Sequence, residues 1–150
     1  MSFDPDIEPR LSRLVAAYAA AVDARDLEAL RRLFLSEATL TVRRGGGEPR
    51  VFRGHAGLAG VIEALAPFEL TLHEVSAPVF EPAPGGEEAT GACVCVAHHV
   101  RRGESSEADD LVLHGRYSDR FRRDADDTWR FAARELRVLW TEKRSVRIGD

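Results

Sequence analysis

The sequence has little that would tie it to a membrane, a nucleic acid or an oxidising compartment. Only two of its 150 residues are cysteines, and no apolar run approaches the roughly 20 residues that span a bilayer. The formal net charge is −4, and the 21 basic residues are scattered among 25 acidic ones. Residues 1–10 are acidic and lack the apolar core of a secretory signal. We therefore expect a cytoplasmic protein with no nucleic-acid partner and no membrane partner.

The two cysteines form neither a disulfide motif nor a metal motif. Cys93 and Cys95 are two residues apart on one predicted strand, which is a poor geometry for a mutual disulfide. A C-x-C pair without a second ligand pair is weak evidence for zinc, and no two histidines expected to face inward have a short ligand spacing. We predict no metal site.

The rest of the composition is typical of a folded domain. Hydrophobic residues make up 44% of the chain, enough for a substantial core without metal or disulfide support. No linker, internal repeat or low-complexity segment interrupts the sequence. We therefore expect one domain over residues 1–150, with its core at about 7–144.

The segment 90–100, TGACVCVAHHV, predicts a long buried strand. Because side chains on a strand alternate between faces, one face carries Gly91, Cys93, Cys95, Ala97 and His99. These side chains are small, so this face has room for a packed helix or for a ligand cavity with His99 at its rim. We favour the cavity.

Helical periodicity is confined to the first part of the chain. Apolar residues recur at three- and four-residue spacing over about 7–21, which predicts an amphipathic helix with Tyr18 on its buried stripe. Asp26 has the position of an N-cap for a short second helix, whereas Asp23 has no such structural role. A third helix begins at Gly54 and ends before Pro67.

Strands dominate the remainder. They are predicted at 35–43, Arg50–Arg53, 69–83, 88–102, 109–123 and 128–144, with turn compositions such as RRGGGEPR, PGGEE and RGESSE between them. Helices first and strands afterwards predict an α+β fold, in which about three helices pack in a strongly curved mixed or antiparallel sheet of about six strands. Such a sheet forms a cone with a concave mouth suited to small molecules.

The order of several motifs along the chain resembles that in the SnoaL-like branch of the nuclear transport factor 2-like cone fold. They are YAAAVDARDLEAL after the first helix begins, TLHEV on the first long strand, a glycine eight residues before a histidine on the next, and WRFAAR on the last. Within that branch the pattern is closest to scytalone dehydratase and bile-acid 7α-dehydratase relatives. The resemblance covers nearly the whole chain.

The resemblance implies a catalytic set. In the dehydratases a buried aspartate supports a pocket histidine, which corresponds to Asp23 and His73 here. A second pocket histidine corresponds to His99, and a helix tyrosine corresponds to Tyr18.

Other positions depart from scytalone dehydratase. Val22 and a strand residue near Val42 stand where that enzyme has tyrosines that orient a water molecule, and Gly115 and Tyr117 stand where it has serine and asparagine. Scytalone is therefore not the expected substrate.

The retained residues suit acid-base chemistry. A neutral imidazole has a pKa of about 6.5 and can take up and return a proton near neutral pH. We predict that His73, held by Asp23, removes a proton next to a carbonyl, that Tyr18 donates to the carbonyl oxygen, and that His99 protonates a departing hydroxyl or a carbon. Elimination, isomerisation or ring closure would follow without a cofactor.

Four further residues are candidates for substrate contact: Tyr117, Asp119, Arg134 and Cys95. Two of them have a structural alternative: Asp119 could pair with an arginine, and Arg134 could form a structural ion pair rather than clamp an anion. His73 itself could be a hydrogen-bonded core histidine.

The predicted function is a dehydratase, isomerase or polyketide-cyclase-like lyase acting on a hydrophobic carbonyl compound of the polyketide, steroid or aromatic kind. Two alternatives remain: a non-catalytic cone that binds a ligand or serves as the small subunit of a ring-hydroxylating oxygenase, and an epoxide hydrolase. Strand alternation places His98 and His114 on the outer face of the sheet. That face has apolar residues and no helix to cover it, so we expect a homodimer or homotrimer.

Overall fold

Three helices and seven strands make up the described part of the chain, which in this computed structural model is residues 4–76, 78–104 and 107–149. The helices are α1 (Ile7–Asp23), α2 (Leu27–Arg32) and α3 (Gly54–Leu65). The strands are β1 (Phe34–Arg44), β2 (Arg50–Arg53), β3 (Leu70–Val75), β4 (Val79–Pro82), β5 (Glu88–Arg102), β6 (Ala108–Arg123) and β7 (Trp129–Val146). None of these helices is both long and apolar enough to cross a bilayer.

The strands form one mixed, curled sheet in the order β2-β1-β7-β6-β5-β3, with β4 also paired to β5. All neighbours are antiparallel except β1 and β7, which run parallel. The register of β6 against β7 shifts after His114 and again after Arg120, and such bulges bend a sheet. The helices pack inside the curve, with α1 against β3 and α3 against β1. The predicted α+β cone is confirmed.

Local chemistry accounts for the turn between the first two helices. The Asp26 carboxylate accepts a hydrogen bond from the Ala29 amide at 2.9 Å, so its predicted role as an N-cap is confirmed. Arg25, just before it, has a φ of 57°, a left-handed conformation that turns the chain sharply. The buried stripe of α1 contains Tyr18, as predicted.

The predicted strand 69–83 is wrong in one respect, because the structure has two strands there, β3 and β4. The break follows Ser76, whose hydroxyl accepts from the Val94 amide while its own amide donates to the Val94 carbonyl, both at 2.9 Å. Pro78 then brings no N–H for a ladder. Ala77 lies outside the described residues, as do residues 105 and 106 of the predicted turn RGESSE.

The small-residue face of β5 is filled at one end and open at the other. A Cβ at Gly91 would lie 2.8 Å from the Phe80 ring and 2.9 Å from the Phe121 ring. Phenyl rings therefore occupy the space beside Gly91. The cavity lies at the opposite end of the strand, beside Ala97 and His99.

The outer face of the sheet carries the two other strand histidines, as predicted. His98 Nδ1 lies 2.7 Å from Asp110 Oδ2, and His98 Nε2 lies 3.1 Å from Glu74 Oε2. The His114 ring stacks on Trp140 with the centroids 4.6 Å apart. Large apolar side chains are exposed on this face at Leu70, Leu72, Val79, Val94 and Trp140.

Candidate active site

A cavity of about 270 Å³ opens between the helices and the inner face of the sheet. Its walls are largely apolar and include Val22, Leu40, Val42, Phe52, Leu65, Phe68 and Leu113. The polar side chains that line it are Tyr18, Arg44, Glu48, Arg50, His73, His99, Tyr117 and Thr141. The fold therefore combines an apolar chamber with a small number of polar groups, as ligand sites commonly do.

His73 and Asp23 meet at the wall of this cavity. His73 Nδ1 lies 2.7 Å from Asp23 Oδ1, and the His73 amide donates to Asp23 Oδ2 at 2.9 Å. Because a carboxylate only accepts, Nδ1 carries the ring proton and Nε2 keeps its lone pair. Among the described residues, Nε2 has no hydrogen-bond partner. The ring is thus fixed in one tautomer, with its basic nitrogen free.

The Asp23 carboxyl group is ionised at neutral pH. Burial alone would raise its pKa, but the hydrogen bonds from the His73 side chain and amide and from Thr71 outweigh burial, and the pKa lies below its ordinary value. A carboxylate beside Nδ1 stabilises the imidazolium that forms when Nε2 takes up a proton.

Thr71 and Arg25 support Asp23 from behind. The Thr71 hydroxyl donates to Asp23 Oδ1 at 2.9 Å and accepts from Arg25 Nη1 at 2.6 Å. The same Arg25 nitrogen donates to the Val22 carbonyl at 2.9 Å. Sequence reasoning missed this support, although Thr71 has the same strand parity as His73 and could have been found that way.

We expect Thr71→Val to lower the free energy of unfolding by about 1–2 kcal/mol, because it leaves the Arg25 donor and the Asp23 acceptor each without one buried partner. Urea denaturation at pH 7 measures the change. Thr71→Ser is the matched control, since it keeps the hydroxyl and should lose less than half as much. A loss in Thr71→Val no larger than the loss in Thr71→Ser would contradict the expectation that the hydroxyl contributes more than the methyl group.

His99 faces the same cavity from β5. Its Nδ1 lies 3.2 Å from the Leu111 carbonyl oxygen, so Nδ1 carries the proton and Nε2 is an acceptor. Its ring lies 5.0 Å from Phe68 and 5.8 Å from His73, centroid to centroid. Burial is the main cause that lowers the His99 pKa. The sequence led us to expect that His99 donates a proton. A neutral ring in this tautomer is better suited to accept a hydrogen bond at Nε2.

Two tyrosines complete the polar lining. The Tyr18 hydroxyl is hydrogen-bonded to that of Tyr117. Burial raises the pKa of Tyr18 to about 12 and that of Tyr117 well above its ordinary value. Both phenols therefore stay protonated at neutral pH. Because one hydroxyl donates to the other, one phenol proton remains for a ligand.

Three residues predicted to contact substrate lie behind the cavity wall instead. The side chains of Arg134 and Asp119 are 0% and 2% exposed, and Arg134 Nε lies 3.3 Å from Asp119 Oδ1. Burial raises the pKa of Asp119 to about 6, although the charge of Arg134 opposes this. Cys95 is fully buried, and burial raises its thiol pKa to about 11. The structural alternative, a buried ion pair, therefore describes Asp119 and Arg134.

The buried guanidinium supports the tyrosines from beneath. Arg134 Cζ lies 3.6 Å from the centroid of the Tyr117 ring and 4.2 Å from that of Tyr18. Its positive charge opposes the rise in both phenol pKa values. Arg134 thus acts on the cavity through the two rings.

The structure brings together all four residues of the predicted catalytic set. Tyr18, His73, His99 and Tyr117 line one cavity, and Asp23 holds His73. Within the described residues, no three histidine, cysteine, aspartate or glutamate side chains gather as a metal-ligand set.

Comparison with known proteins places the chain in a family. The sequence matches the SnoaL-like domain over residues 8–135. Among proteins with curated descriptions, none matches the chain.

Solved structures share the fold. A candidate scytalone dehydratase from Novosphingobium aromaticivorans DSM 12444 is 24% identical, with a TM-score of 0.73 over 95% of this chain and 90% of that one. A hexachlorocyclohexane dehydrochlorinase (LinA type 2) is 16% identical, with a TM-score of 0.76 over 97% of each chain. An NTF2-like protein with a cystatin-like fold, also from N. aromaticivorans, is 24% identical, with a TM-score of 0.66 over 87% of this chain and 80% of that one. The family match covers most of the sequence, and the chain therefore belongs to the SnoaL-like family, with the nuclear transport factor 2-like cone fold.

Proposed function

We propose that this protein is a cofactor-independent lyase or isomerase that removes a proton next to a carbonyl group of a hydrophobic small molecule. The observation that carries the proposal is the 2.7 Å contact between His73 Nδ1 and Asp23 Oδ1 at the wall of an apolar cavity. It leaves Nε2 as a base with an oriented counter-charge behind it. General base catalysis of this kind contributes about 10²- to 10⁴-fold to a rate.

The first step is proton abstraction. His73 Nε2 takes the proton from the carbon next to the carbonyl, and the electron pair of the broken C–H bond moves onto the carbonyl oxygen. The enolate oxygen accepts a hydrogen bond from the phenol of Tyr18, whose hydroxyl is hydrogen-bonded to that of Tyr117. Donors already in place for a developing negative charge are among the larger contributions to catalysis.

The second step returns the proton. In a dehydratase the enolate collapses, the bond from the β-carbon to its hydroxyl group breaks, and the hydroxyl leaves as water with the proton from His73 Nε2. In an isomerase the same proton goes back to a different carbon. In both cases His73 ends as it began, so no external oxidant or reductant is needed.

His99 has a separate role in this proposal. Its Nε2 lone pair accepts a hydrogen bond from a substrate hydroxyl and so orients the molecule beside His73. Val22 and Val42 line the cavity. By the resemblance, scytalone dehydratase has tyrosines at the position of Val22 and near that of Val42. This apolar wall favours a substrate other than scytalone.

The names of two structural relatives support elimination over isomerisation. One is a candidate dehydratase and the other a dehydrochlorinase, and both names describe loss of a small molecule across a carbon-carbon bond.

Proton exchange tests the proposal without knowledge of the natural substrate. The protein is incubated in D₂O with cyclic and aryl ketones, and deuterium uptake next to the carbonyl is followed by mass spectrometry. We expect uptake well above the buffer rate for at least one ketone. Ketones that bind but exchange no protons would point to the non-catalytic ligand-binding cone.

We further propose that the outer face of the sheet joins two or three copies of the chain. Its support is the exposed apolar set that includes Leu72, Val94 and Trp140, whose exposed fractions are 58%, 48% and 56%. A sheet face with several large exposed apolar side chains and no covering helix is typical of a contact surface.

Light scattering after size-exclusion chromatography should return a dimer or trimer at micromolar concentration. Leu72→Glu should shift the wild-type assembly to monomers, because it places a charge within the apolar patch. Ala16→Glu on the exposed side of helix α1, which packs on the inner side of the sheet, is the control and should leave the assembly intact. A monomeric wild type would refute the proposal.

A further inference from the structure

We propose that the mouth of the cavity is a binding site for a carboxylate, formed by Arg44 and Arg50, so that the ligand is a hydrophobic carbonyl compound with an acidic group. The inference rests on the proposed function only in taking this cavity as the ligand site. This inference adds a substrate class, carboxylates, that neither the His73–Asp23 pair nor the two tyrosines would select.

The geometry of the β1–β2 hairpin aims both arginines inward. Along β1 the inner face carries Leu40, Val42 and Arg44, all of which line the cavity. Val42 pairs with Arg50 on β2, and side chains of directly opposed residues lie on the same face of a sheet. Arg44 and Arg50 are therefore diagonal neighbours at the open end of the chamber.

Neither guanidinium is neutralised. In residues 4–76, 78–104 and 107–149, no carboxylate lies within 4 Å of Arg44 or Arg50. Arg43, directly before Arg44, points to the outer face and is paired: its Nε lies 3.0 Å from Glu135 Oε1. Glu48 lines the same mouth without an ion pair to either arginine, so the mouth keeps a local excess of one positive charge.

Packing and charge link this mouth to the deeper site. Arg50 Cζ lies 4.7 Å from the centroid of the Phe52 ring, which holds the guanidinium against the cavity wall. The charge of Arg44 is one of the causes that lower the pKa of His99, so it acts on the polar end of the chamber. One molecule can thus place its carbonyl at His73 and its carboxylate at the hairpin.

The positive charge at the cavity mouth is opposite in sign to the net charge of the whole protein. The chain carries a formal net charge of −4, so its general field repels anions. A preference for an anionic ligand must therefore come from nearby cations. Guanidinium groups bind carboxylates with strong, directional hydrogen bonds.

A matched pair of probes tests the inference: 2-naphthylacetate and its neutral amide, 2-naphthylacetamide, titrated calorimetrically at low ionic strength. We expect wild-type protein to bind the acid about tenfold more tightly than the amide, as charge-assisted hydrogen bonds at a partly exposed site allow. Arg44→Gln and Arg50→Gln should each weaken acid binding about three- to tenfold and leave amide binding unchanged.

Variants of two neighbouring residues should behave differently from the Arg44 and Arg50 variants: one should strengthen acid binding, and the other should leave it unchanged. Glu48→Gln should strengthen acid binding about two- to threefold, because it removes the one negative charge at the mouth. Arg43→Gln should change neither affinity. Circular dichroism checks that every variant is folded. If Arg50→Gln is unstable, Arg50→Lys replaces it: this variant keeps the charge and should retain most of the preference for the acid.

Equal wild-type affinity for acid and amide would overturn the inference, as would an equal loss in Arg43→Gln and Arg44→Gln. Binding of neither probe would overturn it together with the ligand role of the cavity. Because binding is measured rather than proton exchange, a protein that selects the acid but exchanges no protons keeps this inference and loses the catalytic proposal.

Discussion

His73→Gln should lower the rate of proton exchange into a ketone substrate by about 10²- to 10⁴-fold, because glutamine cannot take up the proton. His98→Gln is a closely matched control. His98 also has its Nδ1 2.7 Å from an aspartate oxygen, that of Asp110, but it lies on the outer face of the sheet. It should leave the rate unchanged.

Asp23→Asn should lower the same rate by at least about tenfold and at most about 10⁴-fold. The amide keeps the size of the side chain but removes the charge that stabilises the imidazolium, and its NH₂ group can hold the His73 ring in the wrong tautomer. Mass spectrometry of deuterium uptake measures both variants. Wild-type rates in His73→Gln would place the base elsewhere, and equal losses in His73→Gln and His98→Gln would indicate a loss of folded protein.

Arg134→Met should lower the free energy of unfolding by about 3–5 kcal/mol at pH 8, the usual cost of leaving one member of a buried ion pair without its partner. Asp119 would remain buried with no counter-charge, and the Tyr18 and Tyr117 rings would lose the cation between them. Urea denaturation measures the loss.

This loss should shrink in acid. In the wild type the pKa of Asp119 is raised from 3.8 to about 6, so the folded state holds this proton more tightly than the unfolded state. The resulting stability is complete below the unfolded pKa and is lost as pH rises through the folded pKa. Without Arg134 the folded pKa rises further, and the variant should recover part of its deficit at about pH 5.

Two variants decide whether the ion pair is the cause. Arg137→Met removes an exposed arginine from the same strand and should cost no more than about 0.5 kcal/mol. Arg134→Met combined with Asp119→Leu should recover much of the loss, because no charge is then left buried. A double variant as unstable as Arg134→Met would show that packing, rather than the unpaired charge, sets the cost.

The sequence predicted most of the fold because local signals agreed with the tertiary structure. β5 runs over Glu88–Arg102, the bounds expected from its alternation and from the turns on either side. The failure at 69–83 has a clear cause. Both halves of that segment pair with β5, and the hydrogen bonds of Ser76 that separate them depend on Val94, which is far along the chain.

The site was harder to predict from periodicity alone. Asp23 and His73 are 50 residues apart, and a family resemblance rather than a spacing rule suggested the pair. Arg44 and Arg50 were missed because RRGGGEPR has the composition of a turn. Which of the two adjacent arginines faces inward depends on the register of β1, which shifts between Phe34 and Thr39 against β7.

The parallel pairing of β1 with β7 also constrains how the chain folds during synthesis. Phe34 pairs with Phe131, so the hairpin that carries Arg44 and Arg50 has no neighbour within its own sheet until residues 129–146 have left the ribosome. At about 5–20 residues per second, several seconds pass between the appearance of the two strands. Contacts of such long sequence separation slow folding, and the exposed edge of β1 is then open to chaperones or to a second nascent chain. The ligand cavity, with walls from both ends of the sequence, is one of the last features to form.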